Sequence, residues 1–170
     1  MGKVLESFGY GVAGTPTRSI DEIIISVRNA SGGDIPFGAP VFMTENGAVP
    51  FDVTTPQEFA AFLGFAVCVP DKTPKEYPTG QFNNADSDGE IGAWHANDLM
   101  EVLVRGGIAL ATTVSGAKGG KLYIRKSDGK LTASAGSAGS TILLENCRIR
   151  NPRTGWSGSA EVIVNKRNII

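Results

Sequence analysis

The chain has 170 residues, of which 41% are hydrophobic and 19% are charged. That length suits a single domain with its own core and no need of covalent staples. Lys and Arg number 16 and Asp and Glu 17, a net charge of −1, which argues against a nucleic-acid backbone or an anionic membrane as the main partner. Two cysteines, Cys68 and Cys147, are too few for a disulfide framework or a structural zinc site. The single histidine, His95, excludes every multi-histidine metal site. No apolar signal-type segment opens the chain and no apolar run is long enough for a span. The expectation is a soluble protein made in a reducing cytoplasm. With 22 glycines and 9 prolines the chain is turn-rich, which favours β architecture.

Residues 1–19 read as an arm. Val4, Leu5, Phe8 and Tyr10 are scattered among glycines without a sustained period, followed by Gly11, Gly14 and Pro16. A terminus of this kind is either disordered or ordered by a neighbour. Ile20–Asn29 is the clearest strand, crowded with β-branched residues and ended by Ser31, Gly32 and Gly33. Residues 36–51 read as a hairpin turning at Asn46-Gly47, with Pro50 marking a short or edge return strand.

Phe59–Leu63 could be a helical turn, and Gly64–Val69 a buried strand stopped by Pro70. Residues 70–90 form a polar loop longer than most, hence a candidate for function. Leu99–Thr113 reads as two strands joined at Arg105-Gly106-Gly107. Residues 121–132 form a hairpin about Ser127-Asp128-Gly129. A small-residue linker, 133–140, leads to strands over 141–149 and 159–165, with Trp156 on the loop between them. About eight short strands and no convincing long helix describe an all-β barrel or sandwich: an arm over 1–19 and one β domain over 20–170.

The motifs that could carry chemistry are incomplete. Gly9, Gly11 and Gly14 match the dinucleotide-binding glycine pattern, but Pro16 forbids the helix that the pattern requires. Asn84–His95 resembles a calcium loop with neither the opening aspartate nor the closing glutamate. His95 has Asp98 nearby, but neither Ser87 nor Cys68 has the surroundings of a nucleophile. Lys121, Arg125, Lys126 and Lys130 share one hairpin, and lysines of this kind guard sheet edges more often than they bind nucleic acid. Asn29-Ala30-Ser31 matches a glycosylation sequon by chance. The expectation is therefore no catalytic residues, no cofactor and no metal.

Several segments in order resemble the cement, or decoration, proteins of tailed-bacteriophage capsids. They are Ile20–Asn29, Ile35–Phe42, Phe62–Val67, Asn97–Leu110, Lys121–Leu131 and Ala160–Ile169. Together they cover most of residues 15–170. The resemblance implies a structural virion protein, without catalysis, that binds the outside of an icosahedral head and stabilises it. It implies the major capsid protein and a homotrimer of the chain itself as partners, with neither nucleic acid nor membrane. The location it implies is the capsid exterior after synthesis in the host cytoplasm.

Candidate contact residues are Val4, Leu5, Phe8, Tyr10, Phe82, Trp94, His95 and Trp156. Large rigid side chains in weakly patterned segments make efficient interface anchors, although each aromatic could equally pack within its own chain. Two alternatives stand beside this reading. One is a tail or baseplate β module of the virion. The other is a carbohydrate-binding β-sandwich with Trp94 and Trp156 as stacking platforms.

Overall fold

The computed structural model describes residues 13–17, 21–69, 92–112, 116–152 and 159–166. These residues form eleven strands, one 3-10 turn (Phe59–Ala61) and no α-helix. The strands are β1 (Ile23–Arg28), β2 (Ile35–Pro36), β3 (Pro40–Thr44), β4 (Gly47–Pro50), β5 (Phe62–Ala66), β6 (Ala93–Trp94), β7 (Leu99–Ala111), β8 (Lys121–Arg125), β9 (Leu131–Thr132), β10 (Thr141–Asn151) and β11 (Ser159–Val164). The architecture is all-β, as the turn-rich sequence predicts.

Nine strands make one antiparallel sheet in the order β4-β3-β5-β7-β11-β10-β8-β9, with β1 also paired to β7. The remaining pair, β2 and β6, forms a small second sheet. An isolated bridge from Asn29 to Ala48 returns the end of β1 to β4. The strands β1, β7, β5, β3 and β4 thus curl into a half-barrel.

β7 organises the molecule. The sequence reading divides it at Arg105-Gly106-Gly107, but the structure carries it through as one strand of 13 residues. Gly106 takes a φ of 121°, so the glycine pair bends the strand instead of reversing it. The bend changes which face each residue serves. Before it, Met100, Val102 and Val104 point into one core with Ile35, Phe37, Val41 and Trp94. Leu103 points the other way, into a core with Phe42, Phe62, Phe65, Leu122 and Leu144. After the bend, even-numbered Ile108 and Leu110 join odd-numbered Leu103 in that second core. Both faces of β7 are therefore covered, and Val102, Leu103 and Val104 are fully buried.

The hairpins form where the sequence places them. In β3–β4, Thr44 pairs with Gly47 and Phe42 with Val49. The positive φ falls on Gly47, at 135°. In β8–β9, Gly129 adopts a φ of 69° and Arg125 pairs with the Asp128 carboxylate. The 3-10 turn at Phe59 runs directly into β5, where Phe62 meets Phe42 and Phe65 edge-on at centroid distances of 5.7 and 5.3 Å. Such tilted contacts suit the ring quadrupoles.

Residues 13–17, expected within the arm, are stitched to the sheet. Gly14 N donates to Ala109 O (2.8 Å), Ala109 N to Thr15 O (2.9 Å), Thr17 N to Gly107 O (2.8 Å) and Cys68 N to Gly14 O (2.8 Å). Glycines permit this close approach. A Cβ on Gly107 would stand 2.2 Å from Thr17 Oγ1.

Candidate functional site

Two of the candidate contact residues, Trp94 and His95, lie on one corner, and a single buried asparagine builds it. Asn29 is completely buried. Its Nδ2 donates to the carbonyls of Gly33 (2.8 Å), Trp94 (3.1 Å) and His95 (3.0 Å). Its Oδ1 accepts from the backbone N–H of Ser31 (3.0 Å) and from Ser31 Oγ (2.7 Å). Its own backbone N–H donates to Asp98 O (2.8 Å), and its carbonyl accepts from Asn97 N (3.0 Å). A buried amide is tolerated when its polar groups are satisfied in this way. The sequence reading met Asn29 only as a sequon. The side chain instead faces inward and ties the end of β1 to the turn between β6 and β7.

The turn itself is polar. Asn97 occupies the left-handed region at φ 68°, a conformation that asparagine tolerates better than most residues. Its side-chain oxygen accepts from the Arg28 guanidinium at 2.6 Å. Asp98 spends its carboxylate on the backbone N–H of His95 at 2.9 Å. The His95 ring lies instead against Asp34, with Nδ1 3.0 Å from Oδ1, and both side chains are exposed. The pairing of His95 with Asp98 considered from sequence is therefore replaced by a surface pair with Asp34.

Trp94 is 5% exposed. Its Nε1 donates to Val67 O at 2.9 Å, and its ring meets Phe37 edge-on at 6.2 Å. A tryptophan packed and hydrogen-bonded within its own chain offers no open face to a sugar. Val4, Leu5, Phe8, Tyr10, Phe82 and Trp156 lie outside the described residues, as do Asn84–Glu90 of the calcium-like loop.

Other polar groups are engaged in structure. Glu161 is buried, accepts from Asn151 Nδ2 and faces Arg150 at 3.7 Å. Arg105 pairs with Asp21. Burial pushes the Cys147 thiol far above its ordinary range, the opposite of what a nucleophile needs. Cys68 is half-buried. Among the described residues no three His, Cys, Asp or Glu side chains gather where they could hold a metal ion. An open groove beside the β8–β9 turn is lined by Lys126, Thr132, Ser134, Ser140 and Thr141. There Ser140 and Thr141 donate their hydroxyl protons to the carbonyls of Ser137 and Ala135.

Sequence reasoning missed one surface feature. Ile23, Ile24 and Leu99 are exposed, Leu99 by 68%. Parity sets Leu99 on the face opposite Met100, Val102 and Val104, but Leu103 shares that face and is buried, so only the position of Leu99 at the start of β7 distinguishes it. Its cross-strand neighbour is Arg28.

The described residues thus form a doubly cored β scaffold in which Asn29, Asp98 and Glu161 spend their polar groups on holding turns and strands in place. Comparison with known proteins gives the family. The model of the structural cement protein family (E217 gp24/Pam3 gp6) matches residues 3–165, and the chain belongs to that family of capsid-stabilising phage proteins. Among solved structures, a chain of "The capsid of Myoviridae Phage XM1" is similar in fold. Its TM-score is 0.70 at 17% identity, over 96% of each chain. No curated protein matches.

Proposed function

We propose that this cement protein attaches to the outer surface of an icosahedral head through the major capsid protein, acts as a homotrimer, and carries out no catalysis. Neither nucleic acid nor membrane is a partner in this reading. Its place is the exterior of the virion, after synthesis in the host cytoplasm.

The observation that supports it is the anchored root of the N-terminal segment. Residues 13–17 are bonded to β7 and to Cys68 beside β5, so the sequence before residue 13 is joined to the sheet at a fixed point. Contacts made by residues 1–12, with Val4, Leu5, Phe8 and Tyr10, would then pull directly on the sheet. Three such segments on one trimer reinforce one another through their shared attachment. His95, Phe82 and Trp156 complete the proposed contact set, and Trp94 serves it from within by shaping the corner that carries His95.

Two measurements test the reading. Mass spectrometry of purified virions should find copies comparable in number to the major capsid protein; a handful per particle would place the protein in the tail or baseplate. Deleting residues 1–12 should leave the melting temperature nearly unchanged and weaken attachment to heads lacking the protein. Undiminished attachment would remove the segment from the contact.

A further inference from the structure

The large sheet has two ends, β4 and β9, and a third margin at β1. Natural proteins protect such margins with proline, lysine or brevity, because open backbone groups recruit another strand. β4 carries Pro50, and β9 is two residues long. β1 is different. It pairs with β7 on one side, and among the described residues no strand runs along Ile23–Val27 on the other. β4 covers only its end, where Asn29 bridges to Ala48 and a Cβ on Gly47 would stand 2.6 Å from Arg28 O. The open stretch has no proline and no lysine. Ile23 and Ile24 are 37% and 36% exposed.

The charges on this strand indicate what covers it. Glu22 precedes the isoleucines and Arg28 follows Val27. Arg28 is hydrogen-bonded to the neutral side chain of Asn97, and neither Arg28 nor Glu22 forms an ion pair among the described residues. Two copies of β1 laid antiparallel about Ile25 set Ile23 opposite Val27 and Ile24 opposite Ser26. The same register brings Glu22 of each copy towards Arg28 of the other. A parallel arrangement sets like charges together, which is unfavourable.

We propose that β1 is an isologous contact surface whose partner is a second copy of this chain, joined edge to edge into a continuous sheet. A contact of this symmetry pairs whatever assembly carries it. A monomer becomes a dimer, and a trimer becomes a pair of trimers, which would link neighbouring units on a shell. The contact is independent of the trimer and capsid contacts proposed above, and it is measured on the free protein, so either proposal can fail alone.

Sedimentation of the full-length protein over a concentration series tests it. The wild type should double its mass as concentration rises. Ser26→Lys should prevent the doubling, since it places lysines of the two copies close together; within its own sheet position 26 pairs with Glu101, so the fold accepts the change. Glu22→Lys and Arg28→Glu should each weaken association about tenfold, and the double variant should return to within about threefold of wild type. Circular-dichroism melting of each variant separates loss of contact from loss of fold. A wild-type mass independent of concentration, doubling that survives Ser26→Lys, or charge variants that the double swap does not rescue would overturn the proposal. So would a strand held by capsid protein alone, which leaves the free protein unpaired at every concentration.

Discussion

Gly14 and Gly38 meet backbone to backbone. A Cβ on Gly14 would stand 2.8 Å from the Gly38 nitrogen, and one on Gly38 would stand 2.9 Å from the Gly14 nitrogen. Both residues have positive φ, 86° and 76°. This contact locks residues 13–17 into the sheet.

Gly14→Ala is expected to cost about 3 kcal/mol, from a left-handed alanine and a clash with rigid backbone. Gly32→Ala is the control. It shares the positive φ of 73° but faces open space, so its cost should be about 1 kcal/mol. Urea unfolding of both variants checks the difference, and equal losses would mean that the glycine contact is unimportant.

Gly64→Ala should be more damaging. A Cβ there would stand 2.1 Å from Leu103 O, wedging β5 away from β7 where the two cores adjoin. The expected outcome is insoluble protein on expression, or a melting temperature lowered by more than that of any other single variant named here.

Asn29→Ala removes the donor shared by three carbonyls and the acceptor for Ser31. Leaving buried polar groups unmatched costs about 1–3 kcal/mol, and the loss should appear in urea unfolding. Ser31→Ala, which leaves Asn29 its other partners, should cost less than 1 kcal/mol by the same reasoning, about half or less of the Asn29 effect. Hydrogen exchange should show residues 94–98 opening first in the Asn29 variant.

Cys147 makes stability depend on alkaline pH. Its thiol ionises near 9.0 when unfolded and well above that when folded, because burial penalises the thiolate. The folded state therefore keeps a proton that the unfolded state loses. The contribution is fully present below pH 9.0 and declines above it by about 1.4 kcal/mol per pH unit. Cys147→Ala should lower stability at neutral pH through the cavity it leaves, yet lose less than wild type between pH 9 and 10. Identical alkaline slopes in the two proteins would contradict this origin.

The elements legible in the sequence were those with local causes. β-Branched crowding marked β1, Asn46-Gly47 marked one hairpin, and Ser127-Asp128-Gly129 marked another. From sequence β7 reads as two strands because a Gly-Gly pair permits both a turn and a bend, and only the pairing of Gly106 and Gly107 with Val164 and Ile163 decides between them. The division of the core into two was not legible, since it depends on which way each face of β7 points after the bend. Asn29 was hidden for a similar reason: its partners Trp94 and His95 are over sixty residues away in sequence. Trp94 resembles an interface anchor in its size and lack of pattern, features that a core tryptophan in a two-residue strand shares.

The shared strand β7 has a mechanical meaning. Its residues are the wall between two interiors, so losing either one uncovers a face of the strand on which the other is built, and the two are expected to unfold together. Denaturant unfolding followed at Trp94 in one interior and by hydrogen exchange at Leu122 in the other should therefore give coincident transitions.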